Sequence, residues 1–177
     1  MKRWALVAAA TTLSMGTIPT AAPETGRGAE LLKPLKKELQ GALSAGLSQG
    51  PDEAIGVCKT KAPEIAESLS TDGVRMGRTS HKLRNPSNTA PEWVGPILAA
   101  YLSDPASRQP REVALRDGRI GYAEPIMIKS VCLTCHGERV RAEVAAKIAE
   151  HYPKDKATGF KTGDLRGLFW VEYPGHK

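Results

Sequence analysis

Apolar residues recur every three or four positions at Leu31, Leu32, Leu35, Leu39, Leu43 and Leu47. That spacing places one stripe along a helix. Pro34 stands near its start, and Gly46 with Gln49-Gly50-Pro51 ends it. The stripe is expected to be core; a dimer or partner surface is the alternative use. A second stripe follows at Ala54, Ile55, Cys58, Ala62, Ile65, Ala66 and Leu69, and Pro63 is expected to kink that helix. Thr71-Asp72-Gly73 reads as a turn and Val74 to Ser80 as a strand. Asn85 to Pro91 is an ordered loop, in which Asn85 and Asn88 make turn hydrogen bonds. Pro91 to Leu102 reads as a short helix with Trp93, Ile97 and Tyr101 on one face.

The pattern then changes to a period of two. Val113 to Arg116 and Arg119 to Tyr122 flank Asp117-Gly118, which predicts a hairpin with a two-residue turn. The second strand continues toward Ile128 and delivers the chain to residues 132–136. Arg139 to His151 is helical, with Val140, Val144, Ile148 and Tyr152 on one face. Asp164 caps a loop, and Gly167 to Tyr173 forms a last strand. The expected fold class is α+β, an antiparallel sheet with helices to one side, without internal repeats.

The first 22 residues break from this pattern. Met1-Lys2-Arg3 is a short positive stretch, Trp4 to Ala10 is apolar, and Thr20-Ala21-Ala22 offers small residues for cleavage. This is the pattern of a secretory signal peptide over 1–22, so the expected location is the periplasm. Pro23 makes the cut position ambiguous, and a retained anchor is the alternative. The apolar stretch falls short of the ~20 residues that span a bilayer, so no stable membrane span is expected after cleavage. The net charge is +6 over 177 residues, with no lysine–arginine cluster of the kind that binds nucleic acid.

Export gives meaning to the three cysteines. Cys132-Leu133-Thr134-Cys135-His136 has the spacing of a c-type haem attachment motif. Two thiols three apart add to the two vinyl groups on one porphyrin edge, and the next residue, His136, becomes the proximal iron ligand. A zinc site needs matched ligands elsewhere, and Cys58, His81, His151 and His176 are scattered. A redox Cys-x-x-Cys would open a helix in a βαβ context that is missing here. The expected cofactor is therefore haem c, covalently attached. From spacing alone, Cys58 reads as a small buried hydrophobe with an inert thiol. A thiolate ligand to iron is its alternative role, and Met127, Met76, His81 and His151 compete for the sixth position. Lys129, Arg139, Arg141 and Arg84 are candidate partners for the haem propionates, and for each a solvated charge is the commoner role.

Four motifs extend the case: Ala54-Ile55-Gly56-Val57-Cys58 with Ala62-Pro63-Glu64-Ile65-Ala66; Arg78-Thr79-Ser80 leading through Leu83-Arg84-Asn85-Pro86-Ser87-Asn88 to Pro91-Glu92-Trp93; Pro125-Ile126 before Cys132-Leu133-Thr134-Cys135-His136-Gly137; and Tyr152 to Phe160 before Gly163-Asp164-Leu165-Arg166-Gly167. In this order they resemble a bacterial family of periplasmic c-type haem sensor domains with a PAS-like fold, long catalogued as a domain of unknown function. The resemblance covers roughly Leu31 to Pro174. It implies a PAS-like domain over 30–175, an antiparallel sheet with N-terminal and flanking helices around a single c-haem. It further implies that Cys58 binds the iron opposite His136. Relatives with sensor roles are joined to a membrane helix and an output domain, so this chain's expected output runs through a separate signalling protein.

Three uses follow from such a haem. A redox or gas sensor would release Cys58 on reduction and admit CO, NO or O₂. A small soluble electron-transfer cytochrome would keep its ligands and pass electrons to a redox partner. An enzyme ranks last, because no acid–base pair is placed near the iron by spacing, and the expectation is that the protein is not one.

Overall fold

The computed structural model describes residues 26–175 except residue 107. The expected signal segment over 1–22 and His176 therefore lie outside the described residues. Among these residues, no helix is long and apolar enough to cross a membrane.

Two helices open the fold, α1 (Gly26–Gln49) and α2 (Pro51–Ser68). Gly50 alone separates them, at φ 128. Pro34 and Pro63 stand inside the two helices, and each helix runs on through its proline. The chain then forms β1 (Arg75–Thr79), α3 (Val94–Ser103), β2 (Arg111–Ala114) and β3 (Arg119–Met127). A short α4 (Leu133–His136), α5 (Ala142–His151) and β4 (Leu165–Pro174) complete it.

The sheet is antiparallel throughout, in the order β1-β4-β3-β2. Its two faces bury different helices. On one, Leu32 and Leu35 of α1 pack with Met76, Tyr122, Val171 and Tyr173. On the other, Val94, Ile97, Leu98 and Tyr101 of α3 pack with Ala123, Leu165 and Leu168. The alternation of Leu168 and Val171 along β4 sends them to opposite faces. The expectation of helices to one side is thus corrected. Both faces of the sheet are apolar, and each needs a cover. On the α3 face, buried Glu172 is held by Arg75 at 3.2 Å, Arg119 at 3.4 Å and Trp93 Nε1 at 2.8 Å.

The hairpin also departs from the expected two-residue turn. Ala114 pairs with Ile120, and Leu115 N donates to Arg119 O at 2.8 Å. Gly118 N donates to Leu115 O at 3.1 Å, and Gly118 has φ 77 while Asp117 has no positive φ. This is a turn followed by a left-handed glycine, a bulge that moves the register by one residue. A two-residue turn of the expected type would need positive φ at Asp117 as well.

Candidate haem site

The CxxCH segment folds as one tight turn of helix. Ser130–Cys132 forms a 3-10 turn leading into α4, and Gly137 N donates to Leu133 O at 3.0 Å to close it. A Cβ at Gly137 would lie 2.7 Å from that same carbonyl oxygen, so the close approach requires glycine. The segment at residues 157–160 then binds back over the turn. Phe160 N donates to His136 O at 3.0 Å, and Gly159 N donates to Gly137 O at 3.0 Å.

His136 is oriented by the same strap, for its Nδ1 lies 2.7 Å from Ala157 O. With a carbonyl as partner, Nδ1 carries the hydrogen, and Nε2 is left as the nitrogen with a free lone pair. Burial, with Arg84 and Arg166 nearby, pushes the pKa of the ring down to about 3. The imidazole is therefore neutral at ordinary pH, the form that binds a metal. Asp155 braces the strap. It accepts from Ala157 N at 2.9 Å and from Arg84 Nε and Nη2 at 3.1 and 3.3 Å. Arg84 also donates to Cys135 O at 2.6 Å. Arg84 and Asp155 are both about 11% exposed, so this is a buried, two-pronged ion pair.

Cys58, Cys132, Cys135 and His136 all line one cavity of about 510 Å³. It lies on the α1 face of the sheet, between the lower half of α1, α2 and the CxxCH turn. Leu39, Leu43 and Leu47 form part of its apolar wall with Ile126 and Phe169. The leucine stripe of α1 thus divides: its upper part packs on the sheet, and its lower part walls the cavity. No disulfide joins any two of the three cysteines. Burial pushes the thiol of Cys135 up. Tyr152 also lines the cavity, and burial followed by nearby Cys58 raises its hydroxyl to about 12.

The other candidate ligands separate on geometry. Met127 lines the cavity. Met76 is buried in the core beneath α1. His81 stands beyond Phe160, its ring centroid 5.7 Å from that of Phe160, and is absent from the cavity wall. His151 ends α5, half-buried rather than exposed as a free-standing histidine would be, and also away from the wall. Among the candidate propionate partners, only Lys129 and Arg84 touch the cavity. Arg84 is committed to Asp155 and two carbonyls. Arg141 pairs with Glu143 at 3.2 Å on the exposed surface, and Arg139 borders a shallow pocket behind the motif. Asn85 accepts from Ser87 N at 3.0 Å, a turn bond as expected.

Several wall residues escaped the sequence reading. Arg78 lines the cavity from β1 and Arg166 from β4. Lys36 and Glu124 pair at 2.6 Å across the wall, with Tyr122 OH donating to Glu124 at 3.3 Å. A signal for Arg78 exists: Met76, Arg78 and Ser80 alternate with period two, so an inward Met76 implies an inward Arg78.

The residues present fit a haem. The volume lies within the ~300–1,000 Å³ of ligand pockets, and the wall is largely apolar with a few polar groups. An imidazole nitrogen and a cysteine sulfur are both haem-iron donors, and two further thiols stand three apart beside that imidazole.

Comparison with known proteins agrees. Residues 9–174 match the sequence profile of the Tll0287-like family, described as Tll0287. The chain is similar to a solved structure, that of the cyanobacterial haem protein Tll0287, at 26% identity and a TM-score of 0.65, over 89% of this chain and 99% of that one. No curated protein matches. The mixed fold, a four-stranded antiparallel sheet with helices, is similar to that of a haem protein, and the chain belongs to the Tll0287-like family.

Proposed function

We propose that this chain is an exported, periplasmic, PAS-like domain carrying one haem through thioether bonds to Cys132 and Cys135, with His136 and Cys58 as axial ligands. The observation that supports it is the convergence of these four side chains on a single cavity. Bound there, haem would supply a one-electron couple and, once one ligand leaves, an iron position open to CO, NO or O₂.

The chain's own residues suggest a division of labour. Ala157 O and the Arg84–Asp155 pair fix the His136 ring. The leucines of α1 exclude water and favour a low-dielectric setting. Cys58 contributes an anionic sulfur, which favours the ferric state. Release of Cys58 would leave α2 free to shift, so that its position would be biased by oxidation state. This makes redox or gas sensing through a separate signalling partner the favoured reading, and no catalytic role is assigned. A second reading, electron transfer to a redox partner, draws on Val131. This residue is 54% exposed immediately beside Cys132, where a partner could approach the cofactor edge.

The test is absorption and electron paramagnetic resonance of the holo protein and Cys58→Ala, ferric and then reduced under CO. A low-spin thiolate signature lost in the variant, with CO bound on reduction, is the expected result. A spectrum unaltered by the substitution would return Cys58 to core packing. Reversible electrochemistry without ligand change would favour the electron carrier.

A further inference from the structure

The cavity wall holds more positive charge than its own acids neutralise. Arg78, Arg84 and Arg166 all line it, and both Arg78 and Arg84 act electrostatically on Arg166. Asp155 is engaged by Arg84 through both carboxylate oxygens. Glu124, the acid on the opposite wall, is engaged by Lys36 and Tyr122. Among the described residues, neither Arg78 nor Arg166 has a carboxylate within ion-pairing distance. Arg166 is deeply placed. It donates to Lys82 O at 3.2 Å and its guanidinium lies 5.6 Å from the centre of the Phe160 ring, contacts that leave its charge unmatched. Burial and the two neighbouring arginines lower its pKa to about 10.

Neighbouring guanidinium groups, partly withdrawn from water, repel one another unless an anion joins them. Lys129, also on the wall and without an ion pair among the described residues, is exposed to water, which leaves Arg78 and Arg166 as the less exposed unpaired cations, a match for two carboxylates or an equivalent dianion. Arginine suits carboxylates in particular, since its planar fork donates two parallel hydrogen bonds. The backbone at the seat is also fixed, because Ser80 Oγ donates to Arg166 O at 2.6 Å and ties the end of β1 to β4.

We infer that Arg78 and Arg166 form a carboxylate seat that takes the two propionates of the haem. This rests on the haem reading above, and it moves the propionate contacts from Lys129, Arg84, Arg139 and Arg141 to two residues on strands. A free dianion such as phosphate offers the same chemistry from another source.

The test begins with the purified wild-type holo protein, in which covalent haem is assayed after denaturation by its pyridine complex. Resonance Raman propionate bending bands and the midpoint potential are then compared for wild type, Arg78→Gln, Arg78→Lys and Arg166→Gln. The expected result is a shifted bending band and a lower potential in both glutamine variants, since removing a cation near the haem favours ferric iron. Arg78→Lys, which keeps the charge without the fork, should restore the potential more fully than the band. Half-exposed Arg78 allows the test to proceed even if Arg166→Gln fails to fold. Wild-type bands and potential in Arg78→Gln would overturn the seat. So would unchanged bands together with a phosphate-dependent rise in melting temperature that Arg78→Gln abolishes, which would identify a free anion as the occupant. Absence of covalent haem in the wild type would instead remove the haem reading, and the propionate assignment with it.

Discussion

His136 and Cys58 face the same cavity from opposite structural regimes. His136 sits on a helix of one turn, yet it is held from every side. Its ring nitrogen is bonded to Ala157 O, its carbonyl to Phe160 N, and its neighbours to Arg84 and Gly159. Cys58 sits on a long regular helix, and its side chain depends on helix packing for position. That packing joins Ile55 to Val144, Ile148 and Tyr152, and Ile65, Ala66 and Leu69 to the cluster between α1 and the sheet. A hydrogen-bonded brace has one geometry, whereas an apolar helix contact can slide or loosen without leaving a polar group unsatisfied. On these contacts the His136 side of the cavity is fixed by polar bonds, whereas the Cys58 side rests on apolar packing.

The strongest way to break that contrast is to remove the brace. Arg84→Leu leaves Asp155 buried and unpaired and frees Cys135 O, so about 3–5 kcal/mol of stability should be lost. Denaturant unfolding would measure it, with a fall in covalent haem content alongside. Lys at this position should recover little, because it cannot serve Asp155 and Cys135 O with one planar group. Loosening the other side should cost somewhat less. Ile55→Ala removes a core side chain that is 2% exposed, for a loss of about 3 kcal/mol. Hydrogen exchange should then speed up in α2 while the amides of residues 159 and 160 stay protected; equal acceleration in both would dissolve the distinction.

Smaller effects sharpen it. Gly137→Ala brings a methyl group against Leu133 O and should cost about 2 kcal/mol by overpacking, read as a lower melting temperature. Cys58→Ala should be the mildest for the fold, about 1 kcal/mol, while changing the electronic spectrum most. A Cys58→Ala protein that unfolds as readily as Arg84→Leu would show that Cys58 is a structural residue and not an exchangeable ligand.

Much of this organisation is legible along the chain. The leucine stripe locates α1, the Cys58 stripe locates α2, and the spacing of residues 132–136 singles out a turn that the fold places on the cavity wall. What is hidden is hidden for physical reasons. Periodicity reports which face of a helix avoids water, but it does not distinguish packing on a sheet from walling a cavity, so Leu39 and Leu35 look alike in sequence. Arg84 and Asp155 are 71 positions apart, and no local pattern joins them. Asp117-Gly118 marks the turn correctly, but the register depends on which of the two residues takes positive φ. The sheet's second covered face follows from the alternation on β4, whose central position is a tertiary fact. Arg166 shows the same limit, because its neighbours on the cavity wall come from β1 and the loop after it.

The strand order carries a consequence in time. β4 is the last strand in the sequence, yet it lies between β1 and β3. A growing chain completes residues 132–136 before it has the strand that joins the two parts of the sheet. Until β4 inserts, β1 has no partner strand, and the strap at residues 157–160 has no finished sheet behind it. On any route in which β4 pairs last, the cavity wall that Arg166 and Phe169 supply is missing until that strand is in place.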